Sequence, residues 1–98
     1  MPTYEALAAF QRQYGKLGPV QKAAFRRALA VFIANLRADG SFSPELRVHK
    51  LVNTEIWSLT FAEDGRALFR YGNAVSDGEV HIVWEAIGSH AEVYDFKD

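Results

Sequence analysis

The spacing of apolar residues changes at Gly40, from the 3.6-residue period of a helix to the two-residue period of a strand, and that switch confines the chain to an α+β fold. Ahead of it, Leu7, Phe10 and Tyr14 fall at i, i+3 and i+7, and Phe25, Leu29, Phe32 and Leu36 fall at i, i+4, i+7 and i+11. The first set predicts a helix over residues 2–14, capped by Thr3 and stopped near Gly15 and Gly18. The second predicts a helix from 19 to 38, opened by Pro19 and ended by Asp39-Gly40. A short Gly/Pro turn joins them into a helical hairpin. Beyond Gly40, residues 46–51 predict a short strand with Arg47 and His49 on one side and Val48 and Lys50 on the other. Residues 56–61 and 66–71 predict a hairpin through Glu63-Asp64-Gly65, with Trp57, Leu59 and Phe61 facing the core and Ser58 and Thr60 facing away. A loop over 72–78 leads to a third long strand over 79–85. The expected architecture is a two-layer domain, the N-terminal helical hairpin packed on one face of an antiparallel meander.

At 98 residues this is one domain, spanning 1–98, with a hydrophobic share of 49% that suits a globular core. Its N-terminus lacks the basic-then-apolar plan of a signal peptide, and no apolar run reaches the roughly 20 residues that span a bilayer. With no cysteine, disulfides and thiolate metal sites are excluded, so the expectation is a soluble cytoplasmic domain without a membrane role. The net charge of −1 conceals an asymmetry. Residues 1–50 hold eight Lys/Arg against three Asp/Glu, and residues 51–98 hold three against nine. Two readings remain open: a basic face for an anionic partner, or basic helices lying against an acidic sheet.

No glycine-rich phosphate loop, HExxH, GxSxG or carboxylate cluster is present, so no cofactor is expected. His49, His81 and His90 lie on three different elements, which gives a three-histidine metal site no support, and no metal is expected. His81, inside a strand, reads as a sheet-surface histidine. The combination that carries chemistry is His90 and Tyr94, four residues apart beyond the last strand, where Gly88 would turn the backbone and present the imidazole. With Arg66 beside them they form the candidate catalytic set, and Arg47, His49, Lys50 and Arg70 the candidate substrate-binding set. Arginine and lysine hold phosphate, histidine moves protons and tyrosine stacks on a base or donates a hydrogen bond. Such groups can cleave RNA by attack of its own 2′-hydroxyl, with no metal required.

Four segments in this order, Leu46-Arg47-Val48-His49-Lys50-Leu51, Trp57-Ser58-Leu59-Thr60-Phe61, Arg66-Ala67-Leu68-Phe69-Arg70-Tyr71 and Ile87-Gly88-Ser89-His90-Ala91-Glu92-Val93-Tyr94, resemble the RelE/ParE superfamily of bacterial toxins. The last is most similar to the YafQ-like branch, which ends G-[ST]-H-x-x-[LVIY]-[FY]. The resemblance implies an α+β toxin domain of a type II toxin–antitoxin system, a ribosome-dependent mRNA endoribonuclease silenced by a cognate antitoxin. Its partners would be that antitoxin, the ribosome and mRNA, with DNA reached only through an antitoxin complex. It places His90 at the catalytic histidine, Tyr94 at the terminal aromatic, His49 at a histidine after the second helix and Arg66 at a strand-opening arginine. The histidine and aspartate that YafQ-like members carry in the turn before the middle strand are not evident in this chain, which has Phe61-Ala62-Glu63-Asp64-Gly65 there, Asp64 being at best a shifted substitute. The alternatives are a ParE-like gyrase inhibitor, a toxin-fold protein acting only by protein binding, and a solitary α+β domain.

Overall fold

The computed structural model describes residues 2–73 and 79–95. Its first element is a strand, β1 (Thr3–Ala6), where the sequence predicts helix. Thr3 and Tyr4 favour extended backbone, and the helical spacing begins only at Leu7. β1 runs parallel to the last strand, and Thr3 N–H and Leu7 N–H donate to Val80 O (2.8 Å) and Trp84 O (3.0 Å). The hairpin then follows: α1 (Ala8–Gly15) and α2 (Pro19–Arg37), the latter with proline in its first turn. Gly40 ends the second helix as expected, taking φ +79, a region that L side chains disfavour, and donating to Asn35 O.

The predicted 46–51 strand shrinks to β2 (His49–Lys50). Pro44-Glu45-Leu46 forms a 3₁₀ turn instead, which ends at Arg47 in a left-handed conformation, φ 46. β3 (Trp57–Thr60), β4 (Gly65–Tyr71) and β5 (His81–Ser89) form the meander, the last strand ending four residues beyond its predicted end. Residues 74–78 of the predicted 72–78 loop lie outside the described residues. The sheet order is β1-β5-β4-β3-β2, antiparallel except for the β1–β5 pair. A short helix that the sequence reading lacks, α3 (His90–Asp95), follows β5 directly.

The α1–α2 hairpin covers one face of the sheet. Phe25, Phe32 and Phe69 each stand 5.5 Å, centroid to centroid, from Trp84, and Phe10 stands 5.7 Å from it. These tilted and edge-on contacts lock the helix stripe onto the sheet. α3 lies on the opposite face, where Val93 is buried against Leu68 and Ala86. Where β1 ends, the free N–H of Ile87 is taken by Gln13 Oε1 of α1 at 3.0 Å. His81 is not a surface residue: it is 8% exposed, with Nδ1 2.7 Å from Thr3 Oγ1 and Nε2 3.0 Å from Glu5 Oε1. The parallel strand β1 places both partners beside it, which is why a histidine can be buried there. No helix among the described residues is long and apolar enough to cross a membrane.

Candidate active site on the α3 face of the sheet

Ser89-His90-Ala91-Glu92 is a capping box that starts α3 at the end of β5. Ser89 N–H donates to Glu92 Oε1 at 2.8 Å, and Glu92 N–H donates to Ser89 Oγ at 3.2 Å. Ser89, through its backbone N–H first and its side chain second, holds the Glu92 carboxyl below its ordinary value. Gly88 therefore serves a different purpose from the sharp turn expected of it. It lies buried inside β5, and a Cβ there would stand 2.8 Å from Glu92 Oε1 and displace the cap.

The cap fixes where His90 begins. Its N–H donates to Asp64 O at 2.9 Å and more distantly to Asp64 Oδ1 at 3.4 Å, tying α3 to the β3–β4 turn. Asp64 thus sits beside the histidine segment. One helical turn later, the Tyr94 ring meets the His90 ring edge-on at 4.3 Å. Tyr94 Oη–H donates to Ser58 Oγ at 3.0 Å across the sheet. Ser58 pairs with His49 on β2, so the two side chains leave the sheet on the same face. His49 Nδ1 lies 3.0 Å from Arg47 O, which can only accept, so Nδ1 carries the proton. In neutral His49 the remaining nitrogen, Nε2, is a base. The His90 imidazole is exposed and has no hydrogen-bond partner among the described residues.

Arg66 leaves β4 opposite Gly88 and Thr60, at the end of the sheet that carries His90. Its Nη1 donates to Ala62 O (3.2 Å), Glu63 O (3.2 Å) and Gly65 O (3.0 Å), bracing the turn that holds His90. The other predicted substrate-binding residues do not gather here. Arg70 Nε is paired with Glu85 Oε2 at 2.6 Å, four residues farther along β4. Lys50 meets Glu55 at 3.7 Å, and its register partner is Trp57, on the hairpin side. Arg47 caps the 3₁₀ turn, so it does not share a strand face with His49. On α2, Arg26 Nη1 donates to the Tyr14 hydroxyl at 3.0 Å and Lys22 lies over the Tyr14 ring, so neither is neutralised by the acidic half.

Sequence reasoning missed Ser58, which is fully buried, because alternation put it on a solvated face and no helix was expected to cover that face. The S-x-x-E spacing at 89–92 was the available signal for α3. Among the described residues no group of three or more His, Cys, Asp or Glu could hold a metal ion.

The five-stranded sheet with a helical hairpin on one face and a C-terminal helix on the other is a fold that this chain shares with solved toxin structures over nearly its whole length. The chain superposes on a metal-bound toxin from Helicobacter pylori with a TM-score of 0.67 at 19% identity, covering 95% of this chain and 99% of that one. YafQ from E. coli gives 0.61 at 14% identity, covering 96% and 99%. The RelB–RelE antitoxin–toxin complex from Methanococcus jannaschii gives 0.60 at 11% identity, covering 95% and 98%. No protein-family model matches the sequence, and no curated protein matches it.

Proposed function

We propose that the chain is the toxin of a type II toxin–antitoxin system and cleaves mRNA on the ribosome by internal attack of the 2′-hydroxyl. The observation that carries this reading is the set His90–Tyr94–Ser58, joined by a ring contact and a hydrogen bond, with His49 in register with Ser58 on the same sheet face. His49 Nε2 takes the proton of the 2′-hydroxyl as its oxygen bonds to phosphorus. His90, protonated, gives its proton to the 5′-oxygen as the P–O5′ bond breaks. The products are a 2′,3′-cyclic phosphate and a 5′-hydroxyl. Arg66, with Nη1 occupied by the turn, has Nε and Nη2 left to meet the charge that develops on the phosphoryl oxygens. Tyr94 orients the His90 ring and offers a face on which a base can stack.

By its register with Gly88, Arg66 leaves β4 on the α3 face before its side chain curls around the β3–β4 turn, and that origin supports a nuclease over an inhibitor that acts by contact alone. The solved complexes RelB–RelE and DinJ–YafQ support a cognate antitoxin as the protein partner, expected from a small neighbouring gene. The test is to induce the chain alone and together with that neighbour while mapping 5′ ends of cellular mRNA. New 5′-hydroxyl ends within translated regions, suppressed by the neighbour, are the expected result. Growth arrest without new ends would transfer support to the gyrase-inhibitor reading.

A further inference from the structure

Among the described residues β2 covers β3 only at Trp57 and Ser58, leaving the β3 edge at Leu59 and Thr60 open. Beyond that edge, α2, the 3₁₀ turn and the β3–β4 turn enclose a cleft of about 450 Å³. Three arginines from different elements line it: Arg27 of α2, Arg47 of the 3₁₀ turn and Arg66 of β4, together with Thr60. Neither the Arg27 nor the Arg47 side chain has a hydrogen bond or ion pair among the described residues. Arg47 reaches the cleft from a left-handed backbone, φ 46, uncommon for a residue with a Cβ. Arg66 is fixed by its three carbonyl acceptors, so its unused donors are oriented in advance. Glu45 and Glu63 also line the cleft, reducing the formal sum of the five side chains to +1. That balance fits one phosphodiester better than a densely charged duplex.

We infer that this cleft is a phosphodiester subsite for single-stranded RNA, with Arg27 and Arg47 holding backbone oxygens and Arg66 linking the subsite to the His90 end of the sheet. Guanidinium forks match the oxygens of a phosphate and bind them in pairs. An acidic protein segment could also supply anions. RNA is favoured because Arg66 borders the cleft and also braces the turn whose Asp64 holds His90. The identity of the polymer rests on the nuclease reading, whereas the anion subsite does not.

The test is fluorescence anisotropy of a short, labelled, 2′-O-methyl single-stranded RNA, which cannot be cleaved because the attacking hydroxyl is blocked. Salt is varied between about 50 and 200 mM. Arg27→Gln and Arg47→Gln should each weaken binding about tenfold, as expected for a charge-assisted contact, and lower the salt slope by about 0.7. Glu63→Gln should tighten binding, while Arg12→Gln, on exposed α1, should change it less than about twofold. Binding by the parent with these effects but no mRNA cleavage would keep the subsite and defeat the nuclease reading. The subsite is overturned if the parent does not bind, or if Arg27→Gln behaves as Arg12→Gln does. It is likewise overturned as an RNA site if a hexaglutamate peptide at matched ionic strength shows the Arg27 dependence and the RNA does not.

Discussion

The two faces of the sheet differ in what their residues are committed to. On the hairpin face, Phe10, Phe25, Phe32, Phe69 and Trp84 touch one another in a closed aromatic set, all buried, and their side chains have no polar work to do. On the α3 face a much smaller apolar patch, Leu68, Ala86 and Val93, supports a six-residue helix fixed largely by hydrogen bonds. A large core buys the stability on one side that lets the other side carry exposed, incompletely partnered imidazoles and guanidiniums. Apolar burial does not depend on direction, whereas the capping box, the Tyr94–Ser58 bond and the Asp64–His90 link each fix a geometry. The difference implies that substitutions on the hairpin face act through stability and those on the α3 face through local order and chemistry.

The largest effect expected is on the hairpin face. Phe32→Ala empties a fully buried ring site and should cost about 3–5 kcal/mol, read from denaturant unfolding. If it left stability unchanged, the aromatic set would not be the core. Tyr94→Phe comes next, at about 1 kcal/mol, because it strips a buried Ser58 hydroxyl of its partner. Its effect on RNA cleavage should be no more than modest, since the ring contact with His90 survives, and a total loss of cleavage would instead give the phenolic proton a chemical role. Gly88→Ala should cost about 1 kcal/mol or less by displacing Glu92 from Ser89 N–H, and amide exchange should quicken in α3 while α2 stays protected.

The smallest effect is a pH dependence confined to α3. The folded-state value of Glu92 lies below its unfolded value of 4.5, so the carboxylate contributes its stabilisation above that value. The contribution is lost as pH falls through the lower folded value. Glu92 is solvent-exposed, so the contribution is small. An NMR titration should show the Ser89 amide losing its hydrogen-bonded shift below about pH 4.5 while the Trp84 indole signal stays fixed, and Glu92→Gln should flatten the Ser89 curve.

The hairpin face was the more legible in sequence, for the same physical reason that it is the more stable. Nineteen residues of α2 repeat an apolar stripe, and β3 and β4 alternate around a glycine turn, so long-range burial and local period agree. The elements that escaped are short. β1 has four residues and is set by pairing with a strand about 78 positions away, a partner that no local pattern announces. α3 is too short to show a period, and its absence from the reading put Ser58 on a solvated face and gave Gly88 the wrong task. His90, Tyr94 and Arg66 were singled out by residue type and resemblance. Their arrangement depended on Asp64, Ser58 and the cap, which only the tertiary contacts reveal. Arg70 shows the converse: attractive as a phosphate ligand in sequence, it is engaged by Glu85 in the fold.

The proposed acid–base chemistry of the α3 face turns on His90. Its most direct test is the rate at which purified protein cleaves mRNA on translating ribosomes, parent against His90→Gln, with both confirmed as folded by thermal unfolding. Because the His90 side chain is exposed and free of hydrogen bonds among the described residues, the variant should unfold at the parental midpoint. Its cleavage should be about 10²–10⁴-fold slower, the contribution of a positioned general acid. Cleavage at the parental rate by the folded variant would contradict the account.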